Sequence, residues 1–196
     1  YDVPEGEDRP LANAQTLFGF TTKISDESEK VEVLDQPFSI LLLGNNEGLS
    51  DSIIVATVNP KTLNVTMTSL ARDSYLPIAC YPNQSRDKLN HARARGRQCI
   101  EDTIENYLDL KIDFYFETDF YALQKIVDAL GGIELESPVS FGGSLPKENN
   151  PKEYHEIWIN KGLQKMDGKA TITFARERYH MPRGDFDRQL NQQYVI

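Results

Sequence analysis

Positive charge, sulfur and long apolar runs are all scarce in this chain. The 196 residues carry a formal charge of −9 and include only two cysteines, three histidines and one tryptophan. General nucleic-acid binding needs a broad basic face to displace counterions, and the charge balance argues against it. Aromatic platforms of the kind that stack single strands are not evident beside the basic residues either. His91, His155 and His180 lie far apart in sequence, and no His/Cys grouping has zinc spacing. The longest apolar stretches, such as Ile40 to Leu43, run four residues, far too short to span a bilayer. There is no signal peptide, and the chain opens on Tyr1 and stops at Ile196 inside an expected helix, so it reads as an excised fragment.

Arginine is present in an uneven pattern. Nine of ten arginines fall in two windows, Arg72 to Arg97 and Arg176 to Arg188, while eleven lysines are scattered. The first window carries +4 and the second +1, which leaves −14 on the rest. Arginine is a rigid, always-charged fork that matches phosphate or carboxylate oxygens, whereas lysine is a soluble point charge. Forks concentrated in an acidic chain suggest convergence on one anionic ligand, with two solvated helix faces as the alternative.

Apolar residues make up 39% of the chain, enough for the core of one ordinary domain. Residues 1–36 are acidic and weakly periodic and read as an extension or linker with one helix at most. Buried-strand runs are expected at Phe38–Leu43 and Ile53–Val58, and an alternating strand at Leu63–Leu70. Residues 71–97 read as a long loop, followed by a helix over Cys99–Asp109 and a strand over Ile112–Glu117. Asp119 caps an amphipathic helix closed by Gly131-Gly132. A strand follows at Ile133–Glu136, then a loop over 137–156 and a short strand at Ile157–Ile159. Helices are expected over Met166–Arg178 and from Asp185 onward. Alternating strands and helices indicate an α/β fold, a layered α-β-α domain with a central mixed sheet, helices on both faces and chemistry at one sheet edge.

Several motifs could carry that chemistry. Gly44 to Ser52 joins two buried strands; its small residues let backbone amides approach an anion, and Asp51 suits a hard cation such as Mg²⁺, or simply forms a turn. Arg72-Asp73, just past a strand, could be a phosphate clamp or a surface ion pair. His91, in Asp87-Lys-Leu-Asn-His91, reads as a surface or structural histidine as readily as a base. Arg176 and Arg178 point about 200° apart on an ideal helix, so they share a ligand only at a frayed end or by bending around it; the alternative is a solvated charged helix end. Cys80 and Cys99 fit one disulfide or two separate buried thiols.

Taken together and in order, these segments resemble the LytR–CpsA–Psr domain. They are Phe38–Gly44, Ser50-Asp51-Ser52, Val58-Asn-Pro-Lys61, Ser69-Leu-Ala-Arg72-Asp73-Ser74, Asp87–His91, Asp128-Ala-Leu-Gly-Gly132, Ala175-Arg176-Glu-Arg178 and Gly184-Asp-Phe-Asp-Arg188-Gln189. The likeness covers residues 37–196, the stretch read here as the catalytic-type domain.

The resemblance implies a membrane-anchored monomer on the outer face of a Gram-positive cell. It implies transfer of a glycopolymer, such as teichoic acid or capsule, from a polyprenyl-diphosphate lipid to peptidoglycan, or non-catalytic binding of a polyprenyl phosphate or an anionic cell-wall polymer by a degenerate relative. By the same resemblance, Arg72, Asp185 and Asp51 are catalytic. Arg176, Arg178, Arg188, Lys88, Gln192 and Arg72 bind the diphosphate. Asp51 and position Asn46 hold Mg²⁺, weakly in the absence of diphosphate, and the Asp119–Leu130 helix lines a tunnel for the lipid. An extracellular family also favours a Cys80–Cys99 disulfide. This chain departs from the family pattern at Asn46, Leu49 and Asn191, where Asp, Arg and Arg are usual.

Overall fold

The computed structural model describes residues 35–46, 48–147 and 150–196. The expected extension over 1–36 lies almost wholly outside them, as do the side chain of Asn46 and all of Glu47.

A four-stranded sheet organises the domain. Its strands are β1 (Phe38–Asn46), β2 (Leu49–Asn59), β3 (Asn64–Ser69) and β6 (Phe114–Asp119), in the spatial order β3-β2-β1-β6. β2 runs antiparallel to β1 and β3, whereas β6 runs parallel to β1, so the sheet is mixed. In β2, Ile53, Ile54, Val55 and Ala56 are all buried, as a strand covered on both faces requires. The expected strands at 38–43, 53–58, 63–70 and 112–117 are therefore present with shifted ends.

A parallel partner needs a crossover, and residues 70–113 supply it. They hold a two-stranded ribbon, β4 (Tyr75–Pro77) with β5 (Arg86–Lys88), then α1 (Leu89–Ala94) and α2 (Arg97–Leu108). The expectation of a bare loop over 71–97 is corrected here. Three-residue strands give almost no periodicity, and the ribbon is held by Leu76 packing beneath it. Leu41, Leu43, Ile53 and Val55 meet Leu76, Ile78, Leu89, Ala92, Ile100 and Ile104 in one core on this face. Cys80 and Cys99 are bonded, with their Cα atoms 5.3 Å apart, and tie the ribbon loop to α2.

Helices α3 (Phe120–Ala129) and α5 (Asp185–Val195) lie against the opposite face. Asp119 caps α3 by accepting the Ala122 N–H at 2.7 Å, and Gln193 of α5 donates to Ser69 Oγ at 2.8 Å. Between them α4 (Gly168–Arg176) packs on α3 so closely that a Cβ on Gly168 would sit 2.4 Å from the Gln124 carbonyl.

Two expectations in this region fail. Residues 137–156 are not loop but β8 (Phe141–Lys147) and most of β9 (Asn150–Ile159). The glycines that read as turn signals are there for close approach, since a Cβ on Gly143 would meet Thr173 of α4 at 2.5 Å. Met166 does not begin a helix but ends β10 (Gly162–Met166), which pairs with β7 (Ile133–Ser137). Asp167 starts α4 by capping Ala170, 2.8 Å away. Leu135, Phe141, Ile159, Met166, Phe174 and Met181 form a second core here.

Candidate active site

β1, β3 and β6 end, and β2 begins, at one edge of the central sheet, because Asn45 pairs with Asp119 and Ser69 with Ile54. The edge of a sheet where strands finish is where ligands bind in open α/β folds. Gly44 pairs with Ser52 near the end of β1, just before a bulge, and a Cβ on it would approach Ser52 Cβ to 2.9 Å, so the two strands come this close only because it is glycine.

Asp51 opens from this loop and is held by Arg72, whose Nη1 donates to Asp51 Oδ1. Arg72 also lies 3.6 Å from Asp73, and Asp73 in turn takes Lys88 Nζ at 2.8 Å. The hydrogen bond from Lys88 holds the Asp73 carboxyl below its usual value, against the effect of burial, and the Lys88, Arg72 and Arg188 charges reinforce it.

The second arginine window arrives from α4 and α5. α4 stops at Arg176 because Glu177 is extended (φ −68°, ψ 132°), so Arg178 is already out of the helix. The frayed end that sequence spacing required is therefore present. Asn191 and Gln192 brace this end, donating to the carbonyls of Phe174 and Ala175 at 3.3 Å each. Arg188 is 7% exposed and reaches Asp185 at 2.8 Å. Burial pulls its guanidinium below the usual arginine value; Asp185 and Asp51 oppose that shift, while Arg72 and Arg178 add to it. The Tyr179 hydroxyl, 2.7 Å away, raises Arg178, as do the Asp185 and Asp51 charges.

Asp51, Arg72, Asp73, Lys88, Arg178, Asp185 and Arg188 thus form one electrostatic group. Four cations meet three carboxylates, and the buried Nε of Arg188 has no hydrogen-bond partner among the described residues. An orphaned donor on a buried cation calls for a water or an anionic oxygen. Arg176 stands beside this group rather than in it, its guanidinium 4.8 Å over the Phe120 ring just after β6. Gln192, expected on the ligand, donates to the Ala175 carbonyl at the end of α4.

The remaining arginines of the first window do not converge. Arg93 grips Glu117 at 3.0 Å, Arg97 reaches Glu101 at 3.0 Å, and Arg86 and Arg95 lie over Tyr75 and Tyr81. The expectation that the arginines lack aromatic neighbours is corrected by these pairs: Tyr75 and Tyr81 lie within the same arginine window, and the ribbon folds each against an arginine. His91 bonds Asp87 at 2.9 Å on the other side of the ribbon from Lys88.

Sequence reasoning missed Glu117. Its carboxylate takes Arg93, the Tyr115 hydroxyl and, at 2.7 Å, Asn45 Nδ2, while Asn45 Oδ1 accepts the Gly48 N–H at 3.0 Å. The signal was an acid closing the run Phe114-Tyr-Phe-Glu117 where the strand reaches the site edge. Burial pushes the Glu117 carboxyl up, but the hydrogen bonds from Tyr115, Arg93 and Asn45 hold it below its usual value, and burial with Glu117 drives Tyr115 to about 12.

Among the described residues no three acidic, histidine or cysteine side chains gather as a metal cage. In this group Asp51 lies on Arg72 and Asp185 on Arg188; Mg²⁺ is usually bound by one or two carboxylates completed by phosphate oxygens, and these two would be the residues to hold it.

The chain has known relatives in sequence and in fold. The LytR_cpsA_psr family profile matches residues 13–196. The polyisoprenyl-teichoic acid–peptidoglycan teichoic acid transferase TagU of Enterococcus faecalis is 39% identical over 171 residues, covering 82% of this chain and 52% of the relative. TagU of Bacillus subtilis is 36% identical over 166 residues, with 82% and 50% covered. Crystalline B. subtilis TagV superposes with a TM-score of 0.71 at 30% identity, over 83% of this chain and 63% of TagV. TagT with bound octaprenyl pyrophosphate lipid gives a TM-score of 0.64 at 26% identity, over 82% of this chain and 63% of TagT. The chain spans about half the length of the curated relatives it matches. On the family match and these identities, the chain belongs to the LytR–CpsA–Psr family.

Proposed function

We propose that this domain transfers a glycopolymer, teichoic acid or a similar chain, from a polyprenyl diphosphate to a peptidoglycan hydroxyl. The observation that carries the reading is the cluster of Arg72, Lys88, Arg178 and Arg188 at the sheet edge, with a buried Arg188 donor that has no partner among the described residues. TagT, a relative, holds octaprenyl pyrophosphate.

The acceptor oxygen attacks the phosphorus that bears the polymer, a new P–O bond forms, and the P–O–P bridge breaks to release polyprenyl monophosphate. The hydroxyl proton passes to a carboxylate of the site, Asp51 or Asp185. Arg72, Arg178 and Arg188, with Arg176 at the rim, neutralise charge on the phosphates; positioned charges of this kind are often the largest catalytic contribution. Bound Mg²⁺ would add a further positive charge against the same oxygens. Phe38, Ile40, Leu42, Phe114 and Phe116 face α3 from the sheet, with Phe114 and Phe116 well exposed, and offer the lipid an apolar bed beside that helix. An outer-surface location with a membrane anchor and a monomeric state accords with this reading, and a disulfide suits an oxidising compartment.

The test is a transfer assay with a lipid-linked teichoic acid precursor and peptidoglycan, read as release of polyprenyl monophosphate. Release that requires Arg72 supports catalysis. Binding of the donor without release supports the second reading, a non-catalytic binding module, which Asn46 and Leu49 at positions usually Asp and Arg favour.

A further inference from the structure

The β4–β5 ribbon continues the cationic edge beyond the diphosphate cluster. Tyr75 pairs with Lys88 and Pro77 with Arg86, so these four side chains share one face while Leu76 and Asp87 take the other. Leu76 is buried in the core and Asp87 is held by His91 and Tyr81, which fixes the ribbon's orientation. The shared face is open, and Tyr75 is 64% exposed. Arg86 stacks 5.7 Å over the Tyr75 ring and donates to the Tyr75 carbonyl at 3.2 Å, which leaves the rest of its fork outward. Among the described residues Arg86 meets no carboxylate, unlike Arg72, Arg93, Arg97, Arg183 and Arg188.

One end of this face is already fixed in the cluster, since Lys88 Nζ lies on Asp73. From Lys88 to Arg86 is about 7 Å along the strand. We infer that the Lys88–Tyr75–Arg86 face is a subsite for the anionic polymer itself, gripping a phosphodiester and its neighbouring sugar or polyol just beyond the diphosphate. Arg86 supplies a fork for the phosphate, and the Tyr75 ring supplies an apolar face for the carbon skeleton. The occupant is anionic because Lys88 is paired with Asp73 while Arg86 meets no carboxylate among the described residues, which leaves the face with a net positive charge; it is the donor polymer because the face is continuous with the diphosphate group. The inference rests on the proposed transfer reading.

Calorimetry on the whole protein with two soluble probes tests it: farnesyl diphosphate, and an oligo(glycerol phosphate) of a few repeats. Arg86→Ala should weaken the oligomer about tenfold, Tyr75→Ala by less, and Arg86→Lys should recover part of the loss. Farnesyl diphosphate affinity and melting temperature should not follow. Oligomer affinity unchanged in both alanine variants, or an equal loss for both probes, overturns the subsite. So does a wild type that binds farnesyl diphosphate but no oligomer, a result that leaves the transfer reading standing. A wild type that binds the oligomer but not farnesyl diphosphate overturns the transfer reading instead, and one that binds neither overturns both. A neutral N-acetylglucosamine oligomer that alone loses affinity in Arg86→Ala would make this the acceptor's face and overturn the inference as stated.

Discussion

Arg72 donates to Asp51 across the sheet edge, from just past the end of β3 to the start of β2. The two residues expected to hold phosphate and metal are therefore partners of each other. A diphosphate with Mg²⁺ would exchange this pair for two new ones, Arg72 with phosphate and Asp51 with metal.

Metal affinity should follow that exchange. Without diphosphate, Asp51 is already neutralised by Arg72, so calorimetry should detect no tight Mg²⁺ binding to the wild type. Asn46→Asp should strengthen Mg²⁺ binding when diphosphate is present. Tight binding to the ligand-free wild type would contradict this picture.

Arg176 should matter to ligand more than to folding. It is exposed and rests on Phe120 without a carboxylate partner among the described residues. Arg176→Ala should weaken diphosphate-lipid binding by on the order of 2 kcal/mol, while the melting temperature holds. Lower stability with unaltered affinity would make it a structural residue.

Glu117 predicts an acid-side loss of stability. Its carboxyl sits lower in the folded protein than in the unfolded chain. The stabilisation is thus fully present above the usual carboxylate range and is lost as pH falls through the depressed folded value. Glu117→Gln should cost roughly 1–3 kcal/mol at pH 7, with Arg93 left short of a partner, and the gap should narrow toward pH 3. Urea midpoints of both proteins at the two pH values test this; a gap that widens in acid would contradict it.

Breaking the Cys80–Cys99 bond should lower stability by about 3 kcal/mol on the chain-entropy account of such a loop. Cys80→Ser and the reduced wild type should then unfold at similar denaturant concentrations. Two free thiols by mass spectrometry without reductant would refute the bond.

Much of the central sheet was legible because Ile40–Leu43 and Ile53–Ala56 are unbroken apolar runs, and α3 because Asp119 and Gly131-Gly132 punctuate it. β8 and β9 were not, because Gly142, Gly143 and Pro146 read as turns until Thr173 and Trp158 are seen packed over the glycines. In the site, the segregation of arginine pointed to Arg72, Arg178 and Arg188. It overreached at Arg93 and Arg97, whose local carboxylates Glu117 and Glu101 account for them. Gln192 is placed at the ligand by the family resemblance alone. The Ala175 carbonyl that it satisfies comes from α4, which helical spacing alone does not reveal.

The central claim is that the Arg72 cluster receives a diphosphate. The direct measurement is calorimetric titration of farnesyl diphosphate into the wild type and Arg72→Ala. The account predicts a saturable site in the wild type that weakens by on the order of 2 kcal/mol in the variant, with the fold retained by circular dichroism. Equal affinity in the two proteins would contradict it.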